Sequence, residues 1–479
     1  MVFEVTRHGA RAGIRKDYFN TNWIKGELTN VGKRQHYLLG HQVAQKYQQK
    51  YKGFLDPNFN SNEIYVRATD YNRTIESAQA QIQGIYHPGN KNLEMDQNQS
   101  AQAIPLFKIS RDIVEDYSSE LAAVPYLQRF IPIHVYSPKS DFFQPPDACP
   151  YIQKERERRE FGQDLKDLLR KNHLETIKKV AEGLNQTYDN AYDPMTAVWA
   201  TDGIWARTFD QQITPGFEDQ TLLNQMMDLL DEEFTNILAT DDTQRQLFAT
   251  GVLSELASQF LNQVKIDQDP VLKAQDRLKL FIYSDHDDSM TVLTKTFSYK
   301  MGYYPKYASQ ILFELIKKSD NKYYVSIIIN DISINIPGVC NNQQDCELNI
   351  FIQLIKDVSY YGRENQYNEL CGIQQKISNQ EVKNSLINVE KKQLMQLIKH
   401  SEQNEFSLKV NLMMDESIIK ILVAYSVILA ITLLIFKFKF QTKVNESPIH
   451  KLNEENSNDL QTQQSPHYYN QQQVSTYQQ

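Results

Sequence analysis

The chain has 479 residues, 41% of them hydrophobic and 23% charged, a globular composition whose length suggests about three domains, or one large body with appendages, at roughly 150 residues per domain. Its 51 basic residues against 59 acidic ones leave a formal charge of -8. With no basic arm, that balance argues against a nucleic-acid partner, so any anionic ligand must be gripped by a local cluster of positive charge.

Val2 to Thr6 is a short apolar run stopped by Arg7-His8-Gly9, which predicts a strand ending in a loop. Ile64-Tyr65-Val66 predicts a second strand, leading through Arg67 to Asp70 into a helix over Thr74 to Ile85. Tyr151 to Gly183 and Gln220 to Val264 carry charged amphipathic periodicity, predicting an inserted helical region that caps the sheet. Leu280 to Tyr283 predicts a third strand, broken by Ser284-Asp285-His286-Asp287-Asp288 before another apolar-periodic stretch. Ile311 to Lys317 and Tyr323 to Asn330, around Lys318 to Lys322, predict a hairpin at the sheet's edge. Buried strand, polar loop and helix in alternation predict a three-layer α/β fold with a mainly parallel sheet flanked by helices, whose ligands sit at the carboxyl ends of strands. The expected catalytic domain covers 1–372, with an α/β core over about 1–100 and 270–372 and a helical cap over about 101–269.

Beyond it, 373–416 reads as a polar stalk and 438–479 as a Gln/Asn/Ser-rich disordered tail. Between them, 417–437 contains Ile418 to Phe436, apolar except for Lys420 and a few hydroxyls, and is long enough to span a bilayer as a transmembrane helix. Lys437, Lys439, Lys443 and Lys451 follow that segment, and positive-inside logic places the C-terminus in the cytosol. Met1 to Val5 has neither the charged nor the apolar region of a signal peptide. Either a targeting piece is missing from the chain, which is the preferred explanation, or the body is cytosolic with a late anchor. Cys149, Cys340, Cys346 and Cys371 form an even set without CxxC spacing or a nearby His, which fits disulfides better than a metal. The sequons at Asn98 and Asn185 are compatible with the oxidising compartment that disulfides would indicate.

The reactive groups concentrate in three strand-end loops: Arg7-His8-Gly9-Ala10-Arg11, Arg67 to Thr74, and His286-Asp287. Arg presents planar, permanently charged donors that match phosphoryl oxygens, so Arg7, Arg11 and Arg73 suit a phosphate dianion and the charge spread in its transition state. His8 lies between two of them in sequence, where a cationic field keeps imidazole neutral and nucleophilic, allowing a covalent phosphohistidine. Asp287 suits a general acid that protonates the departing alkoxide, which predicts an acidic pH optimum. Arg67 reads as a scaffold residue paired with Asp70.

With these motifs, the chain resembles the histidine acid phosphatases, the branch of the histidine phosphatase superfamily that holds prostatic and lysosomal acid phosphatases and the phytases. Gly26-Glu27-Leu28-Thr29-Asn30-Val31-Gly32, Gln35-His36-Tyr37, Asp202-Gly203-Ile204-Trp205, Pro305-Lys306-Tyr307-Ala308-Ser309 and Ile336-Pro337-Gly338-Val339-Cys340 extend the resemblance over about Val2 to Cys371. It implies His8 as nucleophile, Arg7, Arg11, Arg73 and His286 as phosphate ligands, and Asp287 as proton donor. It also implies Cys340–Cys346 and Cys149–Cys371 bridges and hydrolysis without metal or other cofactor.

Asp285 and Asp288 depart from the family's usual small residues or Thr, and their charge is expected to raise the Asp287 pKa and move the optimum upward. Asn72-Arg73-Thr74 is formally a sequon, but a glycan there would block the phosphate site. The expected function is therefore an acid phosphatase on small phosphomonoesters, in a single-pass type I glycoprotein of lysosome, vacuole or cell surface; a homodimer is compatible with the sequence. The alternatives are a phytase-like or lysophospholipid phosphatase and a catalytically silent ectodomain.

Overall fold

The computed structural model describes residues 1–373 except 16–17, 19–22, 88–93, 98, 100–102, 104–121, 124–129, 146–147, 210–213, 270–276, 299–303, 336–339 and 341–343. The expected stalk, membrane-spanning segment and tail lie outside the described residues, as does Asn98. Among the described residues no helix is long and apolar enough to cross a membrane.

In chain order the elements are β1 (Val2–Arg7), α1 (Asn30–Ala44, continued by a π-helical turn over Gln45–Lys50), β2 (Ile64–Ala68), α2 (Asn72–Ile85), α3 (Pro150–Glu160), α4 (Gln163–Gly183), α5 (Pro194–Phe209), α6 (Gln220–Leu238) and α7 (Asp242–Gln268). They continue with β3 (Leu280–Asp285), α8 (Asp287–Thr296), β4 (Gln310–Lys317), β5 (Tyr323–Ile329), β6 (Ile332–Ile334), β7 (Asp345–Glu347), α9 (Leu348–Val358) and α10 (Glu364–Leu370). Side-chain caps set several helix starts, since Thr29, Asp219 and Asp241 each accept a backbone N–H from the first turn of α1, α6 and α7. The helix α5 escapes amphipathic pattern reading because much of it is buried, from Met195 through Ala200 to Ile204 and Ala206.

The strand order is β2-β3-β1-β4-β5-β6, with β7 also on β5. Only β2, β3 and β1 run parallel, whereas β4 to β7 join antiparallel, so the sheet is mixed rather than mainly parallel. Connection length explains β4–β5 and β5–β6, because parallel neighbours need a crossover of a dozen or more residues and the tight turns after β4 and β5 permit only reversal; the β1–β4 pair is long-range. The expected hairpin forms, but β4 lies beside β1 inside the sheet and β5 is covered by β6 and β7, so it is not an edge.

Alternation along β1 splits the core into two layers. Val2 packs with Val43, Val66, Ile82 and Leu280 under α1 and α2. Phe3 and Val5 face the larger cluster, where Phe281 and Phe313 meet Leu253, Leu256 and Phe260 of α7. Burial on both faces explains why the parallel strands read as continuous apolar runs. Cys149 is bonded to Cys371, joining the start of α3 to the end of α10, and Cys340 is bonded to Cys346 beside β7. Arg67 is a buried scaffold residue, but its partner is Asp141 rather than Asp70, and its guanidinium lies 3.6 Å from the Phe143 ring centroid.

Candidate active site

Strand register brings the reactive loops together. Arg7 pairs with Asp285 at the ends of β1 and β3, and Ala68 pairs with Ser284 at the end of β2, so all three loops leave the sheet at one level. The first loop is pinned on every side: His8 N–H donates to Asp285 O (2.8 Å), Gly9 N–H to Ser77 Oγ (3.0 Å) and Ala10 N–H to Gln35 Oε1 (2.8 Å). The α1 helix starts directly against this loop. A side chain on Gly32 would bring its first carbon to 2.2 Å from Ala10 O, closer than any real contact, so only glycine lets helix and loop meet.

His8 is buried, and its Nδ1–H donates to Gly9 O at 2.8 Å, which leaves the Nε2 lone pair for chemistry. Burial, then the charges of Arg73, Arg7 and Arg11, hold its pKa well below the ordinary histidine value, so the ring stays neutral in acid. The Arg7 guanidinium lies 2.5 Å from Asp287 Oδ2 and 4.4 Å from the Tyr307 ring centroid. Arg11 pairs with Asp202 of α5 at 2.9 Å. Arg73, in the first turn of α2, donates to His286 Nδ1 at 3.3 Å, and His286 Nε2 in turn donates to Thr69 Oγ1 at 2.9 Å. Burial, with Arg73 next, keeps His286 neutral far below its usual pKa.

Asp287 is the first residue of α8 and accepts a hydrogen bond from the Tyr304 hydroxyl. Burial alone would raise its pKa, but Arg7 and Arg11 outweigh that and hold the carboxyl below the usual range. The expected upward shift from Asp285 and Asp288 is therefore reversed. Both flanking carboxyls are buried, Asp285 sees its own pKa driven well up by that burial, and Asp288 is held by Gln144 at 2.9 Å and faces Arg156 at 3.8 Å. Thr74 is buried with its hydroxyl spent on Thr69 O and Tyr71 O, while Asn185 and its sequon Thr187 are exposed.

These groups border an open cavity of about 190 Å³, whose lining includes His8, Arg11, Arg73, His286 and Asp287. Arg7 lies behind them under Asp287. Among the described residues no cluster of His, Cys, Asp or Glu has a metal-holding arrangement. Sequence reasoning missed Asp202 as the Arg11 partner, Tyr304 as the Asp287 partner, and Arg15, Arg156 and Glu233 in the cavity lining. Pairs such as Arg11 with Asp202, 191 positions apart, leave no local spacing to detect.

The family model for the histidine phosphatase superfamily (branch 2) matches residues 11–330. The chain belongs to that family. Among histidine phosphatases of known name, lysosomal acid phosphatase from Xenopus laevis is 26% identical over 368 residues, covering 74% of this chain and 75% of the relative. Human prostatic acid phosphatase is 23% identical over 377 residues, covering 74% and 84%. The fold of this histidine phosphatase also resembles Hafnia alvei phytase in complex with tartrate, with a TM-score of 0.53 at 14% identity, over 75% of this chain and 96% of that one. Citrobacter braakii phytase gives a TM-score of 0.52 at 15% identity, over 75% and 97%.

Proposed function

We propose that this histidine phosphatase hydrolyses phosphate monoesters in acid by double displacement. The observation that carries the reading is His8 itself: a neutral imidazole with Nδ1–H committed to Gly9 O, its free Nε2 set among three arginines and one carboxyl. Nε2 attacks phosphorus, the P–O ester bond breaks, and Asp287 passes a proton to the leaving oxygen, forming phosphohistidine and alcohol. Water then attacks phosphorus, Asp287 takes its proton, the P–N bond breaks, and phosphate leaves with His8 neutral again. Arg7, Arg11 and Arg73 neutralise the equatorial oxygens through both steps, and His286 joins them as a phosphate-side donor once phosphate displaces its present partners. Because Asp287 is ionised in the free protein, the proton arrives with the substrate: a monoanionic ester gives it up to Asp287 as its oxygens take over Arg7.

The test is hydrolysis of an aryl phosphate by the purified body and its His8→Ala variant. Loss of turnover, with an acid-labile, base-stable phosphoryl label trapped only on the unaltered protein, is expected. An unchanged rate in His8→Ala would remove the covalent mechanism.

The same reading includes a lumenal or extracellular catalytic domain in a lysosomal, vacuolar or cell-surface protein, with a core over about 1–100 and 270–372, a cap over about 101–269 and a membrane anchor at 417–437. Two disulfides and the exposed sequon at Asn185 support the compartment; the anchor rests on the apolar run alone. Endoglycosidase sensitivity of the protein expressed behind a signal peptide tests it, and no mobility shift favours the cytosolic arrangement.

A further inference from the structure

The cavity that His8 lines also holds a carboxyl that the reaction does not use. Glu233 of α6 is 1% exposed and lines the same cavity, and neither of its side-chain oxygens has a hydrogen-bond partner. Buried polar atoms are almost always paired, so two unpartnered oxygens on a residue that lines the cavity point to a ligand that completes them. Their position says which part of the ligand. Asp287 is among the charged groups that act on Glu233, so Glu233 lies on the side of the cavity where the alcohol departs beside its proposed proton donor.

The charged groups facing Glu233 are Arg15 from the first loop, Arg156 and Glu160 from α3, and Asp287 from α8. Burial is the main cause that lifts its pKa to about 8, so in acid it is a neutral donor and acceptor. The two cations nearby are matched already, Arg15 to Glu160 at 2.9 Å and Arg156 to Asp288 at 3.8 Å. A second phosphate would have to displace Glu160 from Arg15 and Asp288 from Arg156, whereas an alcohol hydroxyl complements a protonated carboxyl with no ion pair broken. Leu230 and Val198 line the same cavity and suit the C–H faces of such an alcohol.

We propose that Glu233 is a specificity-determining residue that hydrogen-bonds a hydroxyl of the leaving alcohol, which makes uncharged polyol or sugar monophosphates the substrate class. This rests on the phosphatase reading above. The experiment compares kcat/KM on β-glycerol phosphate, nitrophenyl phosphate and phosphoethanolamine at acid pH for the unaltered protein, Glu233→Leu and Glu233→Gln. In Glu233→Leu the ratio of glycerol to nitrophenyl ester is expected to fall about tenfold, and Glu233→Gln, whose amide also donates and accepts, retains the ratio within about twofold. A ratio unmoved in Glu233→Leu overturns the proposal, as does an equal fall in Glu233→Gln. A preference for phosphoethanolamine that Glu233→Gln abolishes also overturns it, because the carboxylate would then be reading a cation. Absence of nitrophenyl phosphate turnover in the unaltered protein sinks the phosphatase reading itself, which separates the two failures.

Discussion

Arg7 lies 2.5 Å from Asp287, so a proposed phosphate ligand and the proposed proton donor neutralise each other. A phosphoryl group has to displace that carboxylate from its cation in order to bind. Asp287→Asn removes the competitor as well as the acid. Turnover of an alkyl phosphate is expected to fall by about 10² to 10⁴, and less for a nitrophenyl ester that needs little protonation. Inorganic phosphate should inhibit the variant more tightly, by up to about tenfold. Product inhibition constants of the two proteins check this, and weaker inhibition would contradict it.

Proton supply by the substrate sets the pH profile. Phosphate esters lose their second proton near pH ~6, so kcat/KM should fall about tenfold per unit above that point as the proton destined for Asp287 is lost. On the acid side His8 has a depressed pKa, and the sign of that shift keeps the nucleophile neutral as pH drops. The acid limb should accordingly be flat to well below the ordinary histidine value. A profile level from acid through alkaline pH would remove Asp287 from its role.

Behind the catalytic loop, Glu4 of β1 is fully buried and accepts hydrogen bonds from Gln81 at 2.6 Å and Gln310 at 2.5 Å, while Gln81 Oε1 lies 3.3 Å from Nδ1 of His36, whose Nε2 donates to Arg7 O at 3.0 Å. Burial raises the Glu4 pKa from 4.5 to about 7. A carboxyl raised on folding binds its proton more tightly in the native state, so the stability it contributes in acid is lost as pH climbs from the unfolded value through the folded one. Unaltered protein should lose up to about 3 kcal/mol relative to Glu4→Gln across that window. Denaturant titrations of both proteins at the two ends check it, and parallel stabilities would refute it.

Gly32→Ala should separate α1 from the loop that carries His8. The added methyl meets Ala10 O at 2.2 Å and Ala10 N at 2.7 Å. Overpacking of this kind costs about 1–3 kcal/mol, and because the loop must shift, turnover should fall with the melting temperature. A variant of normal stability and rate would show that the loop tolerates the displacement.

Cys149→Ser with Cys371→Ser removes a bridge spanning 222 positions. Loss of a long-range disulfide typically costs about 2–5 kcal/mol. Thermal melts of the reduced and oxidised protein should converge for this variant, apart from the short Cys340–Cys346 bridge.

Loops that follow apolar runs were legible in the sequence because strand, turn and ligand residues are contiguous there: Arg7 to Arg11, Arg73 and His286-Asp287 each announce themselves locally. What joins them was not. The antiparallel half of the sheet depends on pairing between β1 and β4, some three hundred positions apart, Tyr304 and Glu233 carry no motif of their own, and nothing in the Asp202 motif names Arg11 as its partner. The direction of the Asp287 shift also depended on distance, because two adjacent acids in sequence proved weaker neighbours than Arg7 and Arg11 in space.

The central place of β1 has a consequence for biosynthesis. This strand is flanked by β3 and β4, both encoded beyond residue 279. At translation rates of about 5–20 residues per second, it waits roughly 15–60 seconds before either neighbour emerges from the ribosome. Throughout that interval Val2, Phe3 and Val5 lack the strand partners they have in the finished sheet. A holdase that shelters the nascent segment should therefore raise the yield of active enzyme.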